Sequence, residues 1–327
     1  MNKRERIERT IAGEPADRAP VACWRHFPGD DQRAADFAQA IVSYQQQYDW
    51  DIAVAAPANS YLVTDYGAFD EWQGAVDGTR SFAKRAITRS LDWTNLRPLD
   101  PARGSLGRAM DGVRSAAETL GEASPLLVMV YSPLVQAADL SGDNTLIRHA
   151  RTQPERLHTG LNTLTETTLR WIDALRRLPV GGVLYIIRHA DYGQWSDEEY
   201  ATFGLPYDRK ILDALPSKFW LNIVQLGGEL PMFKFAGAFK AQAVNWRDRD
   251  GEPSLALGKT LFNGAVCGGV SAHDLAYGTP NLIRDSVRDS LVQMNSRRLI
   301  VTPGSLSAIT TPLSHLRALR EAVEWKA

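Results

Sequence analysis

The sequence predicts an α/β fold of the (β/α)8 TIM-barrel type, built as a single domain over residues 1–327. Eight short apolar segments alternate with helical patterns along the chain, which is the order of elements in such a barrel. No G-x-G-x-x-G fingerprint follows the first segment, and this disfavours a doubly wound open sheet, the main alternative. Because 44% of the residues are hydrophobic, a chain of this length can bury one large core.

The predicted strands are short, apolar and rich in β-branched residues, as in strands buried on both faces of a parallel sheet. They cover residues 21–24, 51–56, 126–131, 183–187, 219–226, 241–246, 261–270 and 298–304. Helices are predicted for residues 2–12, 33–48 and about 105–120, and after Pro154, Ser196 and Pro312. Boundary signals support these helices, including Gly13 after the first one and an S-x-x-E capping box at Ser196.

Residues 57–105 form a long insertion after the second predicted strand. Within it, residues 71–76 and 79–85 flank Asp77-Gly78, which is a strong signal for a β-hairpin turn. The insertion leaves from the carboxyl end of a barrel strand, the face on which functional loops lie. We therefore predict a β-hairpin lid over the strand ends.

Polar residues that follow the predicted strands are the candidate site residues, because barrel enzymes place their chemistry at the carboxyl ends of strands. The catalytic candidates are His189, Asp248 and Glu229, and the substrate-binding candidates are Arg25, His26, Tyr61, Arg188, Gln225, Asn245 and Ser305. A ring of cations, imidazoles, amides and acids suits an anionic small molecule that undergoes proton transfer. We expect Arg25 and His189 to face one pocket. Arg25 and Arg188 each have an alternative role, as the partner of an internal acid such as Asp248.

Composition narrows the range of partners and compartments. The net charge of −1 gives no electrostatic reason to expect nucleic acid or an anionic membrane as a partner. Cys23 and Cys267 lie in apolar runs and cannot form a disulfide framework or a metal site alone, which favours a reducing compartment. No apolar run approaches the ~18 residues of a membrane-spanning helix. The expected location is therefore the cytoplasm.

Several motifs occur in a characteristic order. They are G-E-P-x-D-R-x-P at 13–20, S-P-L at 132–134 leading to L-S-G at 140–142, SDEEYATFGLPY at 196–207, and T-P-G at 302–304 followed by T-P at 311–312. In this order the chain resembles, over essentially its whole length, a divergent member of the uroporphyrinogen decarboxylase superfamily, which also contains corrinoid-linked methyltransferases. The resemblance implies a barrel and an enzyme that acts on a small molecule, and it is compatible with a homodimer.

The residues used by the decarboxylases are only partly present. The resemblance places an arginine of that family at Arg25, whereas its aspartate after strand two falls near Ala58-Asn59. The family's tyrosine falls near Asp139, and its late histidine near Ser305. Without a central carboxylate, the site cannot grip four pyrrole N–H groups in the manner of the family. A substrate other than uroporphyrinogen is therefore expected.

The zinc ligands of the methyltransferase branch are replaced as well. The resemblance places Gln225, Gly227 and Ser305 where that branch has a His-x-Cys pair and a later cysteine. An amide, a glycine and a hydroxyl make a poor site for a soft metal, so we expect no zinc.

Three hypotheses about function follow from these observations. The first is a cofactor-free decarboxylase that acts on a carboxylated small molecule, with tetrapyrrole-like acids among the candidates. The second is a metal-independent enzyme of the methyltransferase branch that uses a corrinoid or pterin donor. The third is a non-catalytic barrel that binds a tetrapyrrole or another acid. The acids, imidazoles and cations at the strand ends favour the first.

Overall fold

The computed structural model of the protein describes residues 1–325. Its helices are α1 (Lys3–Ala12), α2 (Ala34–Tyr48), α3 (Gly104–Leu120), α4 (Pro133–Ser141), α5 (Asp143–Thr152), α6 (Pro154–Leu175), α7 (Asp197–Phe203), α8 (Leu205–Asp213), α9 (Leu255–Leu261), α10 (Ala272–Tyr277), α11 (Pro280–Gln293) and α12 (Leu313–Ala322). Its strands are β1 (Ala53–Ala55), β2 (Phe69–Glu71), β3 (Ser81–Lys84), β4 (Leu126–Tyr131), β5 (Gly182–Ile187), β6 (Ile223–Leu226), β7 (Ala243–Asn245), β8 (Ala265–Val270) and β9 (Leu299–Pro303).

Seven parallel strands form one curled sheet in the order β1-β4-β5-β6-β7-β8-β9. Apart from the adjacent β6 and β7, successive strands are connected through helices, so each crossover can pack back on the sheet. Every residue of these strands is buried, which explains their continuous apolar composition. The fold is therefore α/β, as the sequence predicts, with the core on both faces of the sheet.

The first predicted strand is a single bridge. Val21 pairs in parallel with Val301 of β9, and the Asp51 N–H donates to the Val21 carbonyl at 2.9 Å. The segment thus lies between β9 and the chain entering β1. Pro20 has no N–H, and the Trp24 carbonyl accepts the N–H of Ser307 at 3.0 Å instead of a strand partner. The ladder therefore stops after one bridge, and the prediction of a regular strand at residues 21–24 is wrong.

The hairpin prediction needs correction in its details. Residues 69–71 and 81–84 form a two-stranded antiparallel ladder, joined by a loop over residues 72–80. The predicted first arm at residues 71–76 is wrong, because the Asp77 carboxylate accepts bonds from the N–H and Oγ1 of Thr79 at 2.9 and 2.7 Å. The Gly78 N–H donates to the Ala75 carbonyl at 3.0 Å. These bonds close a local turn, so Asp77-Gly78 does not join two strands directly.

Helix boundaries follow their capping residues. Asn2 accepts the Glu5 N–H at 2.8 Å to begin α1, and Gly13 ends it with a φ of 79°. Ser196 and Glu199 form the predicted capping box of α7. Within residues 1–325, no helix combines the length and the apolar character that crossing a membrane requires.

A buried ion network fixes the amino end of the sheet. Asp51 is fully buried and accepts hydrogen bonds from Arg6 at 2.7 Å, from Arg18 at 2.6 Å and from the Val21 N–H at 2.8 Å. Arg6 also donates to both carboxylate oxygens of Asp17, and its hydrogen bond lowers the pKa of Asp17 to about 2. Each charge in this network has a partner of opposite sign, so its burial is compensated.

Candidate active site

A cleft of about 490 Å³ opens at the carboxyl ends of β4 and β5, beside the β2–β3 hairpin. Its walls carry three arginines and two aspartates. The lining residues are Asn59, Thr79, Arg80, Ser81, Phe82, Arg85, Ala138, Asp139, Asp143, Arg188 and Gln194. We call this cavity the arginine cleft. It lies where parallel α/β folds place their active sites.

The three arginines of the cleft differ in their partners. Arg80 is neutralised by Asp70 at 2.6 Å and lies 3.7 Å from Asp31. Arg188 donates to Asp139 at 3.1 Å, while its side chain remains 45% exposed. Arg85, in contrast, has no carboxylate oxygen within 4.0 Å among the residues that the structure describes.

Arg85 is held in place by neutral groups. Its Nη1 donates to the backbone carbonyls of Ala138 and Asp139 at 3.1 and 2.6 Å, and its guanidinium lies 4.6 Å from the ring centre of Phe82. These contacts orient the guanidinium without a direct ion pair, although its charge lowers the pKa values of the nearby Asp139 and Asp143 carboxyl groups. A guanidinium of this kind suits a carboxylate ligand, which it can bind through two parallel hydrogen bonds.

Asp139 is the buried acid of the cleft. It lies on α4, where its backbone carbonyl accepts a hydrogen bond from Arg85 and its carboxylate accepts one from Arg188. Burial raises the pKa of its carboxyl group, and the neighbouring Arg188 opposes part of that shift. Burial thus favours the neutral form of this carboxyl group, and the neutral form is the one that can donate a proton to a ligand in the cleft.

His189 lies behind the cleft and reaches it through Asp143. The imidazole is buried, and its Nε2 lies 3.0 Å from Oδ1 of Asp143, which lines the cavity. Burial lowers the pKa of His189, whereas the hydrogen bond from His189 lowers the pKa of Asp143. The pair is therefore a neutral imidazole that donates its Nε2–H to a carboxylate. Nδ1 of His189 has no hydrogen-bond partner within the described chain.

Arg25 and His26 lie elsewhere, on the segment that follows the Val21 bridge. The Arg25 guanidinium donates to the Ile309 carbonyl at 3.0 Å and packs over Phe27, with 5.3 Å to the ring centre. His26 is fully buried, and its Nε2 lies 3.3 Å from the Tyr131 hydroxyl. Within residues 1–325, Arg25 does not line the arginine cleft, so the structure does not bring it together with His189 there.

Three other binding candidates turn inward and bond to the framework. The Tyr61 hydroxyl donates to the Met129 carbonyl at 3.0 Å, and Gln225 accepts the Trp24 Nε1–H at 3.2 Å. The Asn245 amide donates to the carbonyls of Cys267 and Pro303 and to Oγ1 of Thr302. Their hydrogen bonds tie neighbouring strands together, which is the structural alternative for polar residues at strand ends.

The remaining candidates are separate from the cleft. Asp248 is buried, both its oxygens accept the Gly269 N–H at 3.2 and 3.1 Å, and burial raises its pKa to about 7. Glu229 is 76% exposed and pairs with Arg247. Ser305 is half-buried on the loop after β9. None of the three lines the arginine cleft as the described chain forms it.

Sequence reasoning did not select Arg80, Arg85 or Asp143. The two arginines flank β3 of the hairpin and do not follow a strand of the parallel sheet, where polar residues indicate a site most directly. Asp143 begins α5 and is separated from the end of β4 by the whole of α4. Asp139 was noted only as the replacement for the family's tyrosine. The cluster of basic residues at 80–85, beside a turn signal, was the one available indication.

Polar residues gathered at the carboxyl end of a parallel α/β sheet are characteristic of TIM-barrel enzymes. The family model "Uroporphyrinogen decarboxylase (URO-D)" matches residues 72–325, and the chain therefore belongs to the uroporphyrinogen decarboxylase family. This confirms the resemblance found in the sequence.

Curated relatives come from two branches of the family. A uroporphyrinogen decarboxylase of Synechococcus sp. is 25% identical over 228 residues, which cover 64% of this chain and 60% of that protein. A methylcobamide:CoM methyltransferase of Methanosarcina acetivorans is 20% identical over 231 residues, which cover 65% of this chain and 66% of that protein. The match to the Synechococcus protein thus covers only about three fifths of its length.

A solved structure supports the fold. The methyltransferase from Methanosarcina mazei superposes with a TM-score of 0.87, covering 98% of both chains at 16% identity. At this identity the similarity establishes a shared fold and nothing further.

The side chains present do not fit the zinc site of the methyltransferase branch. Gln225 already accepts the Trp24 Nε1–H. Gly227 has no side chain, and a Cβ added at this position would lie 3.4 Å from Cα of Arg188. Within residues 1–325, no three His, Cys, Asp or Glu side chains are grouped so that they could hold a metal ion. We therefore derive no step through zinc.

Proposed function

We propose that this protein is a cofactor-free decarboxylase that binds a carboxylated small molecule in the arginine cleft. The observation that carries this proposal is the position of Arg85, a guanidinium without an acidic partner, beside the buried carboxyl group of Asp139. We also propose that the seven-stranded curled sheet closes into a barrel, with the Val21 segment in the place of the eighth strand.

In the proposed reaction, Arg85 holds a carboxylate that the product retains. The scissile carboxylate leaves as CO₂, and its electron pair remains on the adjacent carbon. Asp139 transfers its proton to that carbon and becomes a carboxylate, which takes a proton from solvent before the next turnover. The raised pKa of Asp139 supports this role, because the acid must be protonated when substrate binds.

Arg188 and the His189–Asp143 pair complete the site. When Asp139 loses its proton, the Arg188 guanidinium 3.1 Å away stabilises the new carboxylate. Asp143 lines the cleft, and His189 orients it through the hydrogen bond to Oδ1. In this scheme, Asp143 contacts substrate and His189 is a positioning residue.

The proposal is tested with a panel of carboxylic acids in D₂O, in which NMR detects CO₂ loss and deuterium incorporation at the same carbon. For the acid that is turned over, Asp139→Asn is expected to lower kcat by roughly 10²–10⁴-fold, as for removal of a general acid. Arg85→Gln is expected to lower kcat/KM by about 10²-fold, because the charge-assisted contact is lost.

The matched control is Arg114→Gln. Arg114 is an exposed arginine on α3 that pairs with Asp111 at 2.7 Å, far from the cleft. This variant should retain wild-type turnover. Full activity in Asp139→Asn and Arg85→Gln, or no turnover of any acid in the panel, counts against the proposal.

A further inference from the structure

The carboxyl end of the sheet beside His26 is covered by the protein's own chain. Residues 75–79, which we call the strap, cross between the first segment and the loop after β9. The Ile309 N–H donates to the Val76 carbonyl at 2.7 Å. A Cβ added at Gly78 would lie 2.8 Å from Cβ of His26 and 2.9 Å from Cγ2 of Ile309. The strap backbone therefore packs directly on His26, and no ligand-sized space separates them.

Asn59 and Ser60, in the loop that follows β1, hold the hairpin in place. The Asn59 side chain accepts the Arg80 N–H at 2.7 Å and donates to the Arg80 carbonyl at 3.2 Å. Ser60 donates to Asp70 at 2.8 Å, and Asp70 in turn pairs with Arg80. The Asn59 side chain thus pairs with the backbone of Arg80, directly before β3, and this pairing fixes the hairpin against the chain that follows β1.

Of the cavities that border the strap, the arginine cleft is the one lined by several arginines, so it is the one that suits an anionic ligand. Its volume of about 490 Å³ is in the range of sites for compact small molecules. A tetrapyrrole carries its carboxylates around a macrocycle and would extend beyond this cleft, which the strap borders at Thr79. The position of the strap on His26 and Ile309 opposes that placement.

The charges of the cleft indicate how many anionic groups the ligand carries. Arg80 is compensated by Asp70 and Asp31, so it contributes little net charge. Arg85 has no acidic partner in the described chain, and Arg188 is free for a ligand anion whenever Asp139 is protonated. The cleft therefore offers two guanidiniums to a ligand, that of Arg85, which backbone carbonyls hold in place, and that of Arg188, which is 45% exposed beside Asp139.

We infer that the ligand of the arginine cleft is a compact dicarboxylic acid, with one carboxylate on Arg85 and the other beside Arg188, and that a tetrapyrrole is excluded by the strap. This inference rests on the proposed function, in which the cleft binds carboxylates. It assigns the carboxylate on Arg85 to the retained group and the carboxylate near Arg188 and Asp139 to the leaving group.

The test is calorimetric titration of the full-length protein with succinate and glutarate, with the monocarboxylates butyrate and valerate, and with uroporphyrin as the tetrapyrrole probe. Dicarboxylates should bind at least about tenfold more tightly than the matched monocarboxylates, because two charge-assisted contacts replace one. Arg85→Gln and Arg188→Gln should each remove that advantage, whereas Arg114→Gln should not change it.

The outcomes separate the two proposals. Uroporphyrin binding that Arg85→Gln weakens would overturn the inference about size while leaving the carboxylate role of Arg85 intact. Equal affinities for dicarboxylates and monocarboxylates, both reduced by Arg85→Gln, would overturn only the assignment of two anionic groups. Absence of any carboxylate binding at millimolar concentration, or binding that neither arginine variant alters, would overturn the inference and the proposed function together.

Discussion

At the amino end of the sheet, Arg6 and Arg18 both donate to the buried carboxylate of Asp51, whereas at the carboxyl end Arg85 donates only to backbone carbonyls. Both ends bring arginines and aspartates together, but only the amino end matches each cation with an acid. Breaking a buried paired network is costly to the fold, whereas a cation that no carboxylate contacts is available to a ligand. The pairing of charges, and not their number, distinguishes the structural end from the candidate active site.

The largest expected effect is at the amino end. Asp51→Asn leaves Arg6 and Arg18 without a buried counter-charge and should lower the free energy of unfolding by about 3–5 kcal/mol. Urea denaturation measures this change. The control is Asp111→Asn, which removes an exposed i,i+3 partner of Arg114 and should cost less than about 1 kcal/mol. Similar losses in the two variants would contradict the structural role of Asp51.

Asp208 is a buried acid whose hydrogen-bond partners are neutral tyrosines, so it differs from Asp51, whose partners are arginines. Asp208 accepts hydrogen bonds from Tyr185 at 2.7 Å and from Tyr200 at 2.8 Å, and burial raises its pKa to about 7. Because the folded-state pKa exceeds the unfolded value of about 3.9, the folded protein binds this proton more tightly. Its contribution to stability is therefore largest below about pH 4 and decreases as pH rises to about 7.

Asp208→Asn removes this titration. The difference in unfolding free energy between wild type and variant should change by on the order of 2–4 kcal/mol between pH 5 and pH 8, with the wild type losing relative stability as pH rises. Denaturant titrations at both pH values measure it. Asp213→Asn, an exposed neighbour on α8 that pairs with Lys240, is the control and should show no such change. A pH-independent difference for Asp208→Asn would contradict the raised pKa.

At the carboxyl end, His189 tests whether positioning matters for turnover. His189→Phe removes the hydrogen bond to Asp143, so the pKa of Asp143 should rise toward its ordinary value. We expect kcat to fall by about tenfold, with the acidic limb of the pH–rate profile shifted to higher pH. His189→Gln, which retains a donor, should recover part of the rate. A change in melting temperature with an unchanged pH profile would indicate a purely structural role.

The smallest effect is expected at Arg25. Its guanidinium donates to the Ile309 carbonyl and packs on Phe27, so Arg25→Lys should cost about 1 kcal/mol of stability or less. Affinity for carboxylates in the cleft should change by less than about threefold, because losing the two-pronged geometry of the guanidinium weakens binding only where it contacts the ligand. Thermal denaturation and ligand titration measure the two quantities. A tenfold loss of affinity would instead place Arg25 at the ligand.

The sequence predicts the sheet well and the site only in part. Buried strands are marked by apolar runs such as residues 126–131 and 183–187, because burial on both faces leaves no other composition. The direction of a polar side chain at a strand end depends on partners from distant segments. Gln225 meets Trp24, and Asn245 meets Thr302, across separations that local patterns do not encode.

Arg85 illustrates the remaining difficulty. Its side chain becomes important because the hairpin places it against the carbonyls of Ala138 and Asp139, 53 and 54 positions further along the chain. No local period or spacing marks such a contact. Arg188 and His189, in contrast, directly follow an unmistakable strand, and both were selected. One lines the cleft, and the other contacts it through Asp143.

The short β2–β3 hairpin contributes both Arg80 and its neighbour Arg85 to the cleft, although its strands pair only with each other. A separate two-stranded ribbon opens more readily than the seven-stranded sheet. A ligand held by Arg85 binds only the closed ribbon, so it adds RT ln(1 + [L]/Kd) to the free energy of local opening. The backbone amides of residues 69–84 would then exchange with solvent more slowly as ligand concentration rises, while exchange in β4 and β5 would be unchanged.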